Sequence, residues 1–245
     1  MTSINKIKIN VLTYLFIILF LFSGFKSILL PIILIFVVHE MGHIFFCFLF
    51  KVEIIKIEIY PFGGIIKLNN LINYSPIKSL FVSLGGLLFQ LILYVLNIFI
   101  IKNDIISTYN LKILLLNVMP IIPLDGSKIL QVMLSFFFSF YKSLFFSYLI
   151  SLILLVYLII YTYNPALIIF LIGFLIKEIC NFSYLFNRFL LERYLYDFKF
   201  KKYKYLKKCN LKKLCVNRYC FFFEKSWKSE KEILSKKFDN CSYIW

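Results

Sequence analysis

Residues 28–50 read ILLPIILIFVVHEMGHIFFCFLF. This run of 23 residues holds one carboxylate and two imidazoles in otherwise apolar surroundings. It is long enough to cross a bilayer core, which takes about 20 apolar residues as a helix. The polar groups stand as His39-Glu40-Met41-Gly42-His43, and His39 and His43 are the only histidines among 245 residues. On a helix, positions i and i+4 share a face about 6 Å apart along the axis, so both imidazoles can converge on one Zn²⁺ at about 2.0–2.1 Å. Glu40, rotated by about 100°, can reach the hydrolytic water as a general base. H-E-x-x-H also occurs by accident in soluble helices. At mid-membrane, however, a carboxylate is disfavoured by roughly 2.5–3.5 kcal/mol, so such groups usually face a cavity and serve a function.

The rest of the chain has the same apolar character. Hydrophobic residues make up 61% of it, against about 45–50% in a soluble domain. Long apolar windows fall near 9–25, 28–50, 78–101, 109–123, 143–162 and 165–182. They predict an all-α polytopic membrane protein of about six transmembrane helices. The first window follows Lys6 and Lys8 but has no small-residue cleavage site after it, and reads as a retained span. Cytoplasmic loops carry an excess of Lys and Arg. With the N-terminus inside, that side holds Lys6, Lys8, Lys51, Lys56, Lys67, Lys78, Lys128 and Lys142, while the outer side holds Lys26 and Lys102. Six crossings then leave both termini in the cytoplasm.

The formal charge of +16 is concentrated at one end: residues 197–245 hold 14 Lys or Arg against 5 Asp or Glu. A division into a transmembrane domain, 1–196, and a basic cytoplasmic tail, 197–245, follows. Lysines interleaved with aromatics, as in Lys199-Phe200-Lys201-Lys202-Tyr203-Lys204-Tyr205, suit anionic lipid headgroups, each basic residue contributing about 1 kcal/mol near the surface. No nucleic acid is expected as a partner. Cys47, Cys180, Cys209, Cys215, Cys220 and Cys241 form no C-x-x-C pair and read as free thiols facing a reducing compartment.

A catalytic zinc uses three protein ligands and an open fourth position, so two histidines require a partner elsewhere. Asn117-Val118-Met119-Pro120-Ile121-Ile122-Pro123-Leu124-Asp125-Gly126 offers one carboxylate, Asp125, beside two prolines. Non-helical backbone at membrane depth is tolerated where it lines a cavity or is buried in protein. The second and fourth spans run in the same direction, which brings His43 and Asp125 to the cytoplasmic side. Glu178, in the last span, is a rival third ligand without a helix-breaking motif.

Together these two motifs resemble the zinc site of the site-2 proteases, and within them the bacterial branch that includes a sporulation protease acting on an inactive sigma-factor precursor. The likeness covers about residues 30–180. It implies one Zn²⁺ per chain held by His39, His43 and Asp125, with Glu40 activating water. It also implies a peptide bond cut in or near the transmembrane segment of a membrane-anchored protein in a bacterial cell membrane, with the bilayer and a membrane regulator as further partners. Tyr60-Pro61-Phe62-Gly63-Gly64, within a strand-like alternation, resembles the family's membrane-associated β-hairpin, which implies substrate contacts at Phe62, Gly63 and Gly64 by strand addition. Asn117 is a further candidate for holding substrate backbone. Ser83-Leu84-Gly85-Gly86-Leu87-Leu88-Phe89-Gln90 resembles a family stretch only in part, since Leu87 stands where proline is usual and Gln90 where asparagine is usual. Gly85 and Gly86 are equally explained by close helix packing. The tail resembles the linker before a regulatory nucleotide-binding module and is too short for that module. The competing functional class is a membrane metal transporter or a binding-only relative, for which Glu40 has no use as a base.

Overall fold

A computed structural model of the chain describes residues 7–22, 26–60, 63–68, 74–122, 124–161, 165–196, 202–223 and 226–239. Their elements are β1 (Ile7–Ile9), α1 (Val11–Phe22), α2 (Lys26–Leu49), β2 (Ile54–Tyr60), β3 (Gly63–Leu68), α3 (Pro76–Leu96), α4 (Asp104–Val118), α5 (Asp125–Phe137), α6 (Phe140–Tyr161), α7 (Pro165–Leu195), β4 (Tyr203–Leu206), β5 (Tyr219–Phe223), β6 (Trp227–Ser229) and α8 (Glu230–Asp239). They form two compact units, residues 1–71 with 81–119, and residues 72–80 with 120–245.

In the first unit, α2 presents Leu30, Val37, Met41, Phe45 and Phe48 outward, an apolar face suited to lipid, while helical hydrogen bonds satisfy its backbone. β1, β2 and β3 form a sheet in that order, β1 and β2 parallel and β2 and β3 antiparallel. The expected hairpin is thus joined by a third strand from the chain's beginning. At its C-terminal end α3 loosens into a π-helical turn, Asn97–Ile101. Asn103 then restarts the chain as the N-cap of α4, its Oδ1 accepting from the Ile105 and Ile106 amides at 3.0 and 3.1 Å.

Among the described residues, three helical stretches are long and apolar enough to span a membrane: Ile28–Leu49, Pro76–Ile101 and Phe140–Leu158. The other expected spans take different forms. α1 has 12 residues and α4 has 15, about 18 and 22 Å at 1.5 Å per residue, short of a core about 30 Å thick. The fourth expected span, 109–123, breaks at Met119, because Pro120 cannot continue the ladder. The sixth, expected at 165–182, runs on to Leu195.

In the second unit, α6 carries buried Ser139, Ser143, Ser147 and Ser151 at or just before its start and along one face. Small residues at that spacing let α5 approach closely. The expectation of an all-α protein with a single hairpin needs correction here, because residues 202–239 fold into a second three-stranded sheet, ordered β4-β5-β6, with α8. The cause is a hydrophobic core shared with the helices: Leu214, Val216, Cys220, Phe222, Ile233 and Leu234 pack with Phe140 and Leu144 of α6 and Phe189 and Leu190 of α7. Arg193 of α7, 3% exposed, donates through Nη2 to the Cys215 and Val216 carbonyls and pairs with buried Glu230 at 3.3 Å. Glu230 in turn accepts from the Cys220 amide at 3.0 Å. Burial lowers the Arg193 pKa and raises that of Glu230, while each charge opposes the other's shift. Cys47, Cys180, Cys209, Cys215 and Cys220 are in no disulfide, and Cys241 lies outside the described residues.

Candidate metal centre and proteolytic site

The histidine pair is organised by α2 against α3. Gly42, Gly85 and Gly86 permit the approach: a Cβ on Gly42 would overlap the Gly85 carbonyl, and one on Gly86 would overlap the imidazoles of both His39 and His43. The glycines of the Ser83–Gln90 stretch therefore serve packing and also make room for the two rings.

Each ring is fixed through Nδ1. His43 Nδ1–H donates to the Val82 carbonyl at 2.7 Å, an acceptor that assigns the proton to Nδ1. His39 Nδ1–H donates to Gln90 Oε1 at 3.0 Å. The two Nε2 atoms then face each other at 3.1 Å. Two ring nitrogens this close, with His39 only 5% exposed, are placed to share one cation. Ligands at about 2.0–2.1 Å from a tetrahedral metal stand about 3.3 Å apart, so the donor set and spacing fit Zn²⁺.

Glu40, next along α2, turns to the sheet: its Oε1 accepts from the Gly64 amide at 2.8 Å. Gly64 stands opposite Ile59 in the β2–β3 ladder, yet its N–H serves Glu40, so that amide points away from β2. β3 is the outer strand of its sheet, and with period-two alternation Ile66 shares the outward edge with Gly64. A Cβ on Gly64 would come within 2.9 Å of the Glu40 carboxylate. Gly63 pairs with Tyr60 at the start of β3. Phe62 lies outside the described residues. Asn117 is half-buried in the last turn of α4.

Asp125 lies in the second unit, as the first residue of α5 and 6% exposed. A carboxylate suits this position because the amides of a first helical turn are unsatisfied. Lys128, one turn on, pairs with its Oδ1 at 3.1 Å. The loop that delivers Asp125 is tied to α6: Ser151 Oγ accepts from the Ile122 amide at 2.8 Å, and Ser147 Oγ donates to the Ser127 carbonyl at 3.3 Å. Glu178 is part of α7, but its side chain is outside the described residues.

Two contributors escaped sequence reasoning. Gln90, fully buried, orients His39 and is itself held through its backbone carbonyl, which accepts from Asn110 Nδ2 at 2.9 Å. Its signal was an amide at mid-membrane, where polar side chains need a partner. The Ser139-Ser143-Ser147-Ser151 series was also readable, as a four-residue repeat of small polar residues in an apolar helix.

No family model matches the chain. Over 140 residues it is 34% identical to stage IV sporulation protein FB of Bacillus subtilis (strain 168), an alignment taking in 53% of this chain and 48% of that protein. The chain thus spans about half the length of the curated relative it matches. Among solved structures, the site-2 protease from Methanocaldococcus jannaschii aligns with a TM-score of 0.54 at 25% identity, covering 73% of this chain and 93% of the other. With its apolar helices, the chain is an integral membrane protein. Sequence relative and structural neighbour agree: what this chain is similar to is a sporulation protein on one side and a site-2 protease on the other.

Proposed function

We propose that this chain is an intramembrane zinc metallopeptidase that hydrolyses a peptide bond in or beside the transmembrane segment of a membrane-anchored protein. The observation that carries this reading is the pair of imidazole Nε2 atoms facing each other at 3.1 Å, that of His39 on a buried side chain, with both Nδ1 positions already engaged. His39 and His43 would hold the metal with Asp125 as third ligand, two nitrogens and one carboxylate oxygen, a donor set typical of catalytic zinc with an open fourth position. The support for Asp125 is its burial, its proline-broken approach and the motif it closes.

Zinc, when bound, supplies Lewis-acid polarisation of the scissile carbonyl. The chain's own residues do the rest. Glu40 takes the proton of the hydrolytic water and returns it to the leaving amine. The Gly64 amide holds the Glu40 carboxylate in place. A substrate segment must unwind, since a helix shields its own peptide bonds, and its extended backbone adds to the outward edge of β3 through the Gly64 carbonyl and Ile66. Asn117 offers a side-chain amide to the same extended backbone. The setting is a bacterial cell membrane with both termini cytoplasmic.

Co-expression with single-span membrane proteins, comparing wild type with Glu40→Gln, tests the proposal. The variant is expected to retain zinc and lose cleavage. Equal cleavage by both overturns the protease reading, and zinc-dependent metal flux retained by Glu40→Gln favours a transporter.

A further inference from the structure

The tail sheet has two unlike faces. Leu206, Cys220 and Phe222 turn inward to the core shared with α6, α7 and α8. The alternate residues form a continuous aromatic surface: Tyr205 and Phe221 stack at 5.3 Å, Tyr203 lies 6.1 Å from Phe221, and Trp227 meets Tyr205 at 5.3 Å and Phe223 at 5.4 Å. Tyr203, Tyr205, Phe223 and Trp227 are 60%, 65%, 43% and 52% exposed. Five adjoining aromatic rings on one exposed face exceed what scattered surface hydrophobics explain, and such patches mark interaction sites.

Charge and attachment identify the occupant. Residues 197–245 hold 14 basic against 5 acidic side chains, and the described acids are engaged within the fold: Glu230 pairs with Arg193, Asp239 accepts from the Tyr194 hydroxyl at 2.7 Å, and Glu232 accepts from Ser229 Oγ at 2.8 Å. Lys202, Lys207 and Lys208 flank β4 and are exposed. The same core that closes the inner face takes in Phe140 and Leu144, the first turns of the apolar stretch Phe140–Leu158. The sheet is therefore anchored where a span enters the headgroup layer, the level at which Tyr and Trp rings settle and lysines meet lipid phosphates. We propose that the face from Tyr203 to Trp227 docks on an anionic lipid leaflet, with its rings at headgroup depth and the flanking lysines on lipid phosphates.

The chain has two tryptophans, so Trp245→Phe leaves Trp227 as the sole reporter. The full chain is reconstituted in phosphatidylcholine vesicles with or without phosphatidylglycerol. With phosphatidylglycerol, Trp227 emission is expected to shift to the blue and to be quenched by lipids brominated near the headgroup, and both effects should fall several-fold at high salt. Lys207→Gln and Lys208→Gln should each reduce the docked population roughly five-fold. Tyr205→Ser with Phe223→Ser should abolish the blue shift while Cys215 and Cys220 stay protected from alkylation, which shows that the tail remains folded. Equal acrylamide access to Trp227 in both vesicle types overturns the proposal. So does salt-independent protection in neutral vesicles, which would indicate a covering protein surface, and so does protection conferred by an added oligonucleotide in place of anionic lipid.

Discussion

Glu40 Oε1 accepts a hydrogen bond from the Gly64 backbone amide at 2.8 Å, which ties the candidate general base on α2 to the outward edge of β3. The strand that would bind an extended substrate is thus the strand that positions the carboxylate. Substrate placement and base placement become one geometric requirement.

Gly64→Ala is expected to separate that requirement from metal binding. The new Cβ would lie within 2.9 Å of Glu40 Oε2, so the carboxylate or the strand must shift. A misplacement of this size can lower the rate roughly 10²-fold. Cleavage should fall by that order while bound zinc, measured on the purified protein, stays at wild-type level. Unchanged cleavage would show the contact to be incidental.

Gln90→Leu removes the acceptor of His39 Nδ1–H at nearly constant volume. Loss of such an outer partner typically weakens metal affinity 10–100-fold, and competition with a chelator should register that loss. Gln90→Glu, which keeps an acceptor oxygen, should restore most of it. A purely structural role would instead leave both variants equally impaired.

Ser151→Ala deprives the Ile122 amide of its acceptor, and a buried unsatisfied donor destabilises by about 1–3 kcal/mol. The thermal midpoint in detergent should fall accordingly. Ser143→Ala should be milder, because Ser143 Oγ donates only to the Phe140 carbonyl of its own helix. Equal shifts for the two would contradict the role given to Ser151.

Cys220 tests the tail. Burial pushes its thiol up to about 11 from 9.0, with the nearby Glu230 charge adding to the rise. A group whose folded pKa is raised contributes stability that is present below its unfolded value and is lost as pH rises through the folded one. The tail should hold its strength below pH 9.0 and weaken by about 3 kcal/mol toward pH 11. Cys220→Ala should flatten that slope in an unfolding series. At neutral pH, exposed Cys209 should alkylate well before Cys220.

The sequence by itself determined whatever depends on neighbours within a few residues. His39, Glu40 and His43 lie on a single helix, where a spacing of four residues brings two side chains onto one face whatever surrounds them. The break before Asp125 was likewise local, because proline lacks an amide. The apolar windows located α2, α3 and α6 by length and composition alone. Contacts between residues far apart in the chain were left to the tertiary structure. Gln90 stands 51 residues from His39, Val82 stands 39 from His43, and Gly64 stands 24 from Glu40. The tail reads as a basic linker until Phe140, Phe189 and Leu190 supply the apolar surface that its own short strands lack. Hydrogen bonds and buried area of this kind form only when helices and strands are brought side by side, and periodicity along one chain carries no record of which distant partner will be there.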